Sequence, residues 1–412
     1  MALFCLRSRS TPFVGNVYRF MCGSSPRHFS KAPEFVHIQG DNTDGSEFVE
    51  GEVLDQLARL EYIRPGEKLD IPYEITVSHS MQDFWQSAFY SYDRVNTSTP
   101  FARALGFQDQ VLPYSLMLML TGSMSHIDEA KSHVAWNKSR YHWPGFAGDT
   151  FRKNVRVLSL RHTSDQKNTL FTFLCKLENQ RGQLVFSSEK TLMFPFLVPP
   201  SDVVFERRPQ DRSLQDHFVQ RAETLEALGN QSLRKLRPGQ LILHTMCRPL
   251  TQTQTMQLAS LMRLTHERHF NRNIFKQDEI LVPGGCIMGL MMSATSRDLH
   301  EILHEEVQSA ALMNPLRPGD MMGAISYIKS VDENLSGDLE VLHIKTLGIK
   351  NMDPHRALIG KKLPVSLFQD TLLPKEIEKI CSDHCPELSH KIVVQAEREI
   401  MRQAPKREVF LL

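Results

Sequence analysis

The sequence predicts an α+β protein built from two copies of one module, each an antiparallel β-sheet wrapped around a long apolar helix, followed by a helical C-terminal extension. Three observations carry this expectation: landmarks recurring at a near-constant spacing, runs alternating with a period of two, and a helix with almost no polar face. Arg64-Pro-Gly66 recurs as Arg237-Pro-Gly239, 173 residues later. Ser80-Met-Gln-Asp-Phe-Trp-Gln-Ser-Ala88 parallels Thr251-Gln-Thr-Gln-Thr-Met-Gln-Leu-Ala259, the closing alanines 171 apart. Val111-Leu-Pro113 answers Leu281-Val-Pro283 at 170, and Ala147-Gly-Asp149 answers Pro318-Gly-Asp320 at 171. Landmarks in the same order at such similar spacings identify an internal duplication.

Each element follows from its residues. The two Ser/Thr-led stretches read as capped short helices. Pro113 and Pro283 each open a Leu- and Met-rich helix, where the missing proline N–H has no intrahelical partner to lose. The first of these, over 114–125, is apolar almost all round, and such a helix belongs inside something. Asn154–Leu160, Thr169–Cys175 and Leu184–Ser188 alternate at period two, with turn signals at Ser164-Asp165 and Arg181-Gly182. Ala324–Val331 and Leu339–Thr346 match them in the second unit, split by Ser336-Gly337. A sheet curled round one apolar helix is the hotdog arrangement, here in tandem. The expected organisation is a presequence at 1–33, a first hotdog at 50–199, a charged aperiodic linker at 200–230, a second hotdog at 231–350, and an extension at 351–412 with helical signals over Leu373–Cys381 and Leu388–Arg402.

Composition excludes several classes. The 412 residues carry 48 Lys and Arg against 47 Asp and Glu, a formal charge of +1, which argues against nucleic-acid binding through bulk electrostatics. No stretch approaches the roughly 18–20 apolar residues a membrane span needs. Residues 1–33 hold Arg7, Arg9, Arg19, Arg27 and Lys31 but no acid, and are rich in Ser and Phe, the pattern of a mitochondrial transit peptide; the alternative is a basic tail without an addressing role. Of seven cysteines, Cys5 and Cys22 lie in that segment and the others are mostly scattered, so no disulfide framework is expected. Cys381, His384 and Cys385 lack a second ligand pair at zinc spacing and read as helix packing rather than a metal site.

Chemistry is expected where each unit turns from its short helix toward its long one. The first unit carries Asp93-Arg-Val-Asn96-Thr-Ser-Thr-Pro-Phe-Ala-Arg-Ala-Leu-Gly106, the second Thr265-His-Glu-Arg-His269-Phe-Asn271 and then Pro283-Gly284-Gly285. With Asn314-Pro-Leu-Arg-Pro-Gly-Asp320, these stretches resemble the MaoC-like hotdog hydratases over roughly 50–350, and within them the double-hotdog mesaconyl-CoA hydratases (methylmalyl-CoA dehydratases). The resemblance implies reversible addition of water to the double bond of an acyl-CoA, with no metal or redox cofactor. It implies His269 as general base and acid, Glu267 or Asn271 orienting the water, and Gly284 and Gly285 donating backbone N–H groups to the thioester carbonyl. Histidine titrates near neutrality, and glycines at a helix start supply preorganised donors, so the assignment is chemically coherent. Arg263, Arg268 and Arg272 are candidates for CoA phosphates or a solvated basic face.

The departures from the family pattern are as informative. Five residues before His269, where an Asp or Asn partner belongs, stands Leu264; in the first unit Asp93 is present but Ser98 replaces the histidine. One half keeps an acid and the other a histidine. Asp93 then reads as a cap for the segment that follows it. The leading expectation is an enoyl-CoA hydratase of the mitochondrial matrix, acting on an acyl-CoA as a homo-oligomer or within a complex. A thioesterase on the same scaffold is a variant, since fold does not settle function. The alternative is a catalytically inactive relative serving as a subunit of a mitochondrial assembly such as the mitoribosome, held there by its C-terminal tail.

Overall fold

The computed structural model describes residues 60–69, 71–123, 127–199, 213–229, 234–333, 335–336 and 338–405. The expected presequence, with Cys5 and Cys22, lies outside them. The N-terminal half begins with short strands β1 (Lys68–Leu69) and β2 (Glu74–Thr76) and helix α1 (His79–Phe89), capped by Ser78 Oγ accepting from the Met81 amide at 3.1 Å. Short helices α2 (Arg94–Thr97) and α3 (Thr99–Ala104) lead to the apolar helix α4 (Tyr114–Leu120). Four long strands follow: β3 (Ser132–Tyr141), β4 (Thr150–His162), β5 (Thr169–Glu178) and β6 (Leu184–Phe194). Helices α5 (Leu214–Gln220) and α6 (Ala222–Leu228) cross to the second half.

There the plan repeats. Strands β7 (Leu241–Leu243) and β8 (Arg248–Pro249) precede α7 (Gln252–Leu261), whose Thr251–Gln254 capping box satisfies two orphan amides. The central helix α8 (Gly284–Leu299) is buried almost throughout. Strands β9 (His304–Leu312), β10 (Met321–Asp332) and β11 (Leu339–Lys350) follow. Helices α9 (Pro354–Leu358), α10 (Ser366–Gln369) and α11 (Pro374–His384) then lead to a last strand, β12 (Ile392–Gln403).

The duplication is visible atom by atom. Gly66 and Gly239 sit at φ 90° and 85° and donate at 2.8 Å to the carbonyls of Val157 and Ile328. Gly148 and Gly319 sit at φ 92° and 91° and donate at 2.7 Å to Val77 and Leu250. These left-handed positions suit glycine, which has no Cβ to clash there. One antiparallel sheet of twelve strands results, in the order β1-β4-β5-β6-β3-β9-β12-β11-β10-β7, with β2 and β8 pairing β4 and β10. The halves meet at β3 and β9, and the pairs Trp136↔Ala310 and Ser139↔Val307 exchange under an offset of 171, as a two-fold axis between them requires. Inside the curl, α4 and α8 lie against each other.

Three expectations are corrected. Of the helix expected over 114–125, the described residues are α-helical only through Leu120; the hydroxyls of Thr121 and Ser123 turn back onto the Leu118 and Leu120 carbonyls at 2.6 and 2.8 Å. The expected linker contains two helices over 214–228, and Phe218 and Leu225 are fully buried, so its apolar residues join the core. Most consequentially, the segment Leu388–Arg402 is not helical. Its residues from 392 form β12, which pairs β9 on one side and β11 on the other. β12 is the counterpart of β6, so the second module runs to about 403 and only residues 351–391 are additional. Those residues replace the tight β5–β6 turn and pack on the outer sheet face, where Leu358, Phe368, Ile377, Cys381 and Leu388 cover Ile325, Leu347 and Ile349. Cys381 and Cys385 belong to this apolar cluster, and no metal-binding group of three or more ligand side chains exists among the described residues.

Candidate active site

The two-fold axis creates two equivalent clefts, each between one half's turn into its long helix and the other half's helix end and first long strand. They have diverged. The cleft of the first half has shrunk to about 70 Å³, whereas that of the second half is a cavity of about 420 Å³.

The larger cavity gathers several of the residues singled out above. His269 ends a 3-10 turn, Glu267–His269, and its ring lines the cavity. Its Nδ1 lies 2.9 Å from the Leu281 carbonyl. A carbonyl only accepts, so Nδ1 carries the proton and Nε2 presents a lone pair. Burial pushes the imidazole pKa down to about 4; the Leu281 bond opposes this, while His266, Arg268 and Lys190 reinforce it. The ring is therefore neutral at physiological pH. His266 beside it is fully engaged, with Nε2 2.8 Å from the Ala130 carbonyl and Nδ1 accepting from the Arg268 amide at 3.1 Å.

Opposite His269 stands the N-terminus of α8. Pro283 precedes it, and the Pro283 carbonyl accepts from Cys286 and Ile287 at 2.9 and 3.0 Å. Among the described residues no acceptor satisfies the Gly284 and Gly285 amides, the helix-start donors that a bound oxygen would meet. Neither position tolerates a side chain. A Cβ on Gly284 would meet Trp136 at 3.0 Å, and one on Gly285 would meet the Met119 sulfur at 2.4 Å and its Cα at 2.9 Å. Gly285 thus also lets α4 and α8 touch.

Other predicted residues fall elsewhere. Glu267 is exposed and accepts from Asn271 Nδ2 at 2.9 Å; this pair is held to itself, off the cavity lining, so neither is brought beside His269 Nε2. Arg268 is a lining residue, but Arg263 and Arg272 are exposed and stand outside it. Leu264 occupies the missing partner's place and packs half-buried against the core. In the first half Asp93 does not cap α2. It crosses to the other half, accepting from Ser296 Oγ at 2.9 Å and the Ile302 amide at 2.7 Å, and burial pushes its pKa up to about 7. Ser98 caps α3, accepting from Phe101 at 3.4 Å.

Sequence reasoning missed what the first half contributes to the second half's cavity: Asp128, His133, Trp136 and Lys190. His133 Nε2 faces the Ala135 carbonyl at 3.2 Å, which leaves Nδ1 toward Gly284. Lys190 is 5% exposed. A signal existed: Lys190 shares the inward phase of β6 with Phe186, Leu192 and Phe194, where a lysine is costly unless used.

No family model matches the chain. Its sequence is 22% identical over 330 residues to the mesaconyl-CoA hydratase of Cereibacter sphaeroides, spanning 74% of this chain and 94% of that protein. Its structure is similar to a putative MaoC domain protein dehydratase from Chloroflexus aurantiacus, with a TM-score of 0.66, 18% identity, and coverage of 85% and 99% of the two chains. A conserved Mycobacterium tuberculosis protein described as a double hotdog gives a TM-score of 0.63 at 14% identity, covering 84% and 98%. The strand order, the paired central helices and these likenesses agree: the chain is a double-hotdog protein similar to the MaoC-like hydratases and dehydratases.

Proposed function

We propose that the protein catalyses reversible hydration of an enoyl-CoA, in the manner of a mesaconyl-CoA hydratase, at the second-half cavity. The observation that carries this reading is the juxtaposition, across one cavity of about 420 Å³, of a neutral His269 with a free Nε2 and the unsatisfied amides of Gly284 and Gly285. With the thioester carbonyl on those amides, His269 takes a proton from water as its oxygen bonds to the β-carbon. The double-bond electrons move to the carbonyl oxygen, where the helix start stabilises the charge. The imidazolium then returns the proton to the α-carbon. Preorganised donors of this kind contribute roughly 10²–10³-fold each, and positioned proton transfer about 10²–10⁴-fold.

The test is purified protein with a panel of enoyl-CoAs, following loss of the conjugated thioester and release of free CoA. Hydration abolished by His269→Ala supports the reading. CoA release without hydration turns it into a thioesterase, and neither turnover nor binding of any thioester overturns it.

The second reading, an inactive relative built into a mitochondrial assembly, is favoured by Leu264 in place of the acid partner. It loses the support of the tail, because β12 is an interior strand of the sheet rather than a free docking segment. A matrix location is part of the proposal and rests on the basic, acid-free residues 1–33; fusing them to a fluorescent reporter tests it.

A further inference from the structure

Two lysines of the first half, Lys153 and Lys190, are only 3% and 5% exposed, and their circumstances differ. Lys153 Nζ is held by the Thr121 and Ser123 carbonyls where α4 ends, and it does not line the larger cavity. Lys190 does line it and, among the described residues, makes neither a hydrogen bond nor an ion pair. Its amine stands near the proposed reaction centre. A Cβ on Gly122 would meet Lys190 Nζ at 3.3 Å, and the Gly122 amide donates at 2.9 Å to the carbonyl of Met119. The Met119 Cα would in turn lie 2.9 Å from a Cβ on Gly285. The Lys190 charge also acts on His133, whose ring flanks Gly284, and on His269 opposite. A flexible four-carbon stem and a cavity of about 420 Å³ let the amine swing across what separates it from Gly284 and Gly285.

We infer that Lys190 is a self-modification site, whose amine takes the acyl group from a thioester bound in the cavity and becomes an N-acyl-lysine. This rests on the thioester reading above. The nitrogen lone pair attacks the thioester carbon, while the Gly284 and Gly285 amides hold the carbonyl oxygen as it turns negative. The C–N bond forms, the C–S bond breaks, and CoA leaves as the thiolate. The proton shed by the nitrogen goes to the sulfur, and nothing is oxidised or reduced. Burial lowers the Lys190 pKa, which raises the share of free amine. Burial also pushes Lys153 down to about 7, so basicity does not single out Lys190; its place on the cavity wall does. The product is an uncharged amide that fills the cavity where it was made, so each transfer closes the site to further thioesters.

The test incubates the full chain with butyryl-CoA, which has no double bond to hydrate, and follows butyrylated peptides by mass spectrometry. Lys190 is expected to be modified at least about tenfold faster than the exposed Lys167 and Lys375, because the bound thioester is held beside it. Lys153 should stay unmodified. Saturating S-butyl-CoA, a thioether that cannot transfer its chain, should slow Lys190 by at least about tenfold and leave the exposed lysines unchanged. By calorimetry the butyrylated chain should lose S-butyl-CoA, whereas Lys190→Arg should bind it within about twofold of the wild type and take up no butyryl group at that position. With S-butyl-CoA bound by the wild type, a Lys190 acylated no faster than Lys167 and Lys375, or as fast with the thioether present, overturns this inference alone. Lys153 modified ahead of Lys190 assigns the reactivity to basicity and also overturns it. Failure of S-butyl-CoA to bind overturns the thioester reading as well.

Discussion

Asp93 gives the most quantitative test of how the two halves are joined. Its carboxyl is buried, next to the like charges of Glu305 and Glu301, and its pKa rises from 3.8 to about 7. Those two glutamates are themselves paired, with Arg398 and Arg94. Between the two values the native state holds a proton that the unfolded chain has released. The resulting stabilisation is complete below the unfolded value and is lost as pH rises through the folded one. Each pH unit is worth about 1.4 kcal/mol, so the whole span is on the order of 4 kcal/mol at most. His269 acts in the opposite sense, because its lowered pKa makes stability rise with pH between about 4 and its ordinary 6.5. Asp93→Asn keeps the shape, the Ile302 bond and the Ser296 contact but cannot ionise. Subtracting its stability from that of the wild type cancels the His269 contribution. Urea unfolding of both proteins from about pH 5 to about pH 8 should show that difference moving against the wild type by roughly 2–4 kcal/mol, then levelling. A difference independent of pH would mean that Asp93 is ionised throughout, and that its two hydrogen bonds outweigh burial.

Other outcomes follow from the same geometry. His269→Ala should lower kcat for hydration by about 10²–10⁴-fold with little change in the binding of a saturated acyl-CoA; an active variant refutes its role. Since His269 is neutral above about 4, kcat/KM should stay flat on the acid side down to that region rather than fall near 6.5; a limb at the ordinary histidine value contradicts the buried geometry. Gly285→Ala places a methyl against Met119 Sδ and Cα, and should cost roughly 1–3 kcal/mol in denaturant unfolding, with loss within about 0.5 counting against the close α4–α8 contact. Deleting residues 392–412 strips a central strand and unpairs buried Glu305 and Glu340 from Arg398 and Arg402, so the truncated chain should not fold; a soluble, native-like product would restore the view of the tail as an appendage.

Much of this molecule is local and therefore legible in the amino-acid order. The copied Arg-Pro-Gly and Gly-Asp turns, the period-two strands and the Leu- and Met-rich helices opened by Pro113 and Pro283 follow from backbone sterics and from which faces avoid water, and they suffice to reveal a doubled α+β module. His269, Gly284 and Gly285 were reached through the resemblance to the MaoC-like hydratases, and the fold brings the three to one cavity. Ile392–Gln403 was not legible. Its Glu397, Arg398, Glu399 and Arg402 imitate a solvated helix, and only pairing between two strands, with Glu305 and Glu340 waiting inside, makes an interior strand of them. The cavity's character was equally hidden. Lys190, His133 and Asp128 come from the other copy of the module, more than 70 residues away from His269, and meet it only because β3 lies against β9. Proximity across a two-fold axis is a property of the assembled sheet.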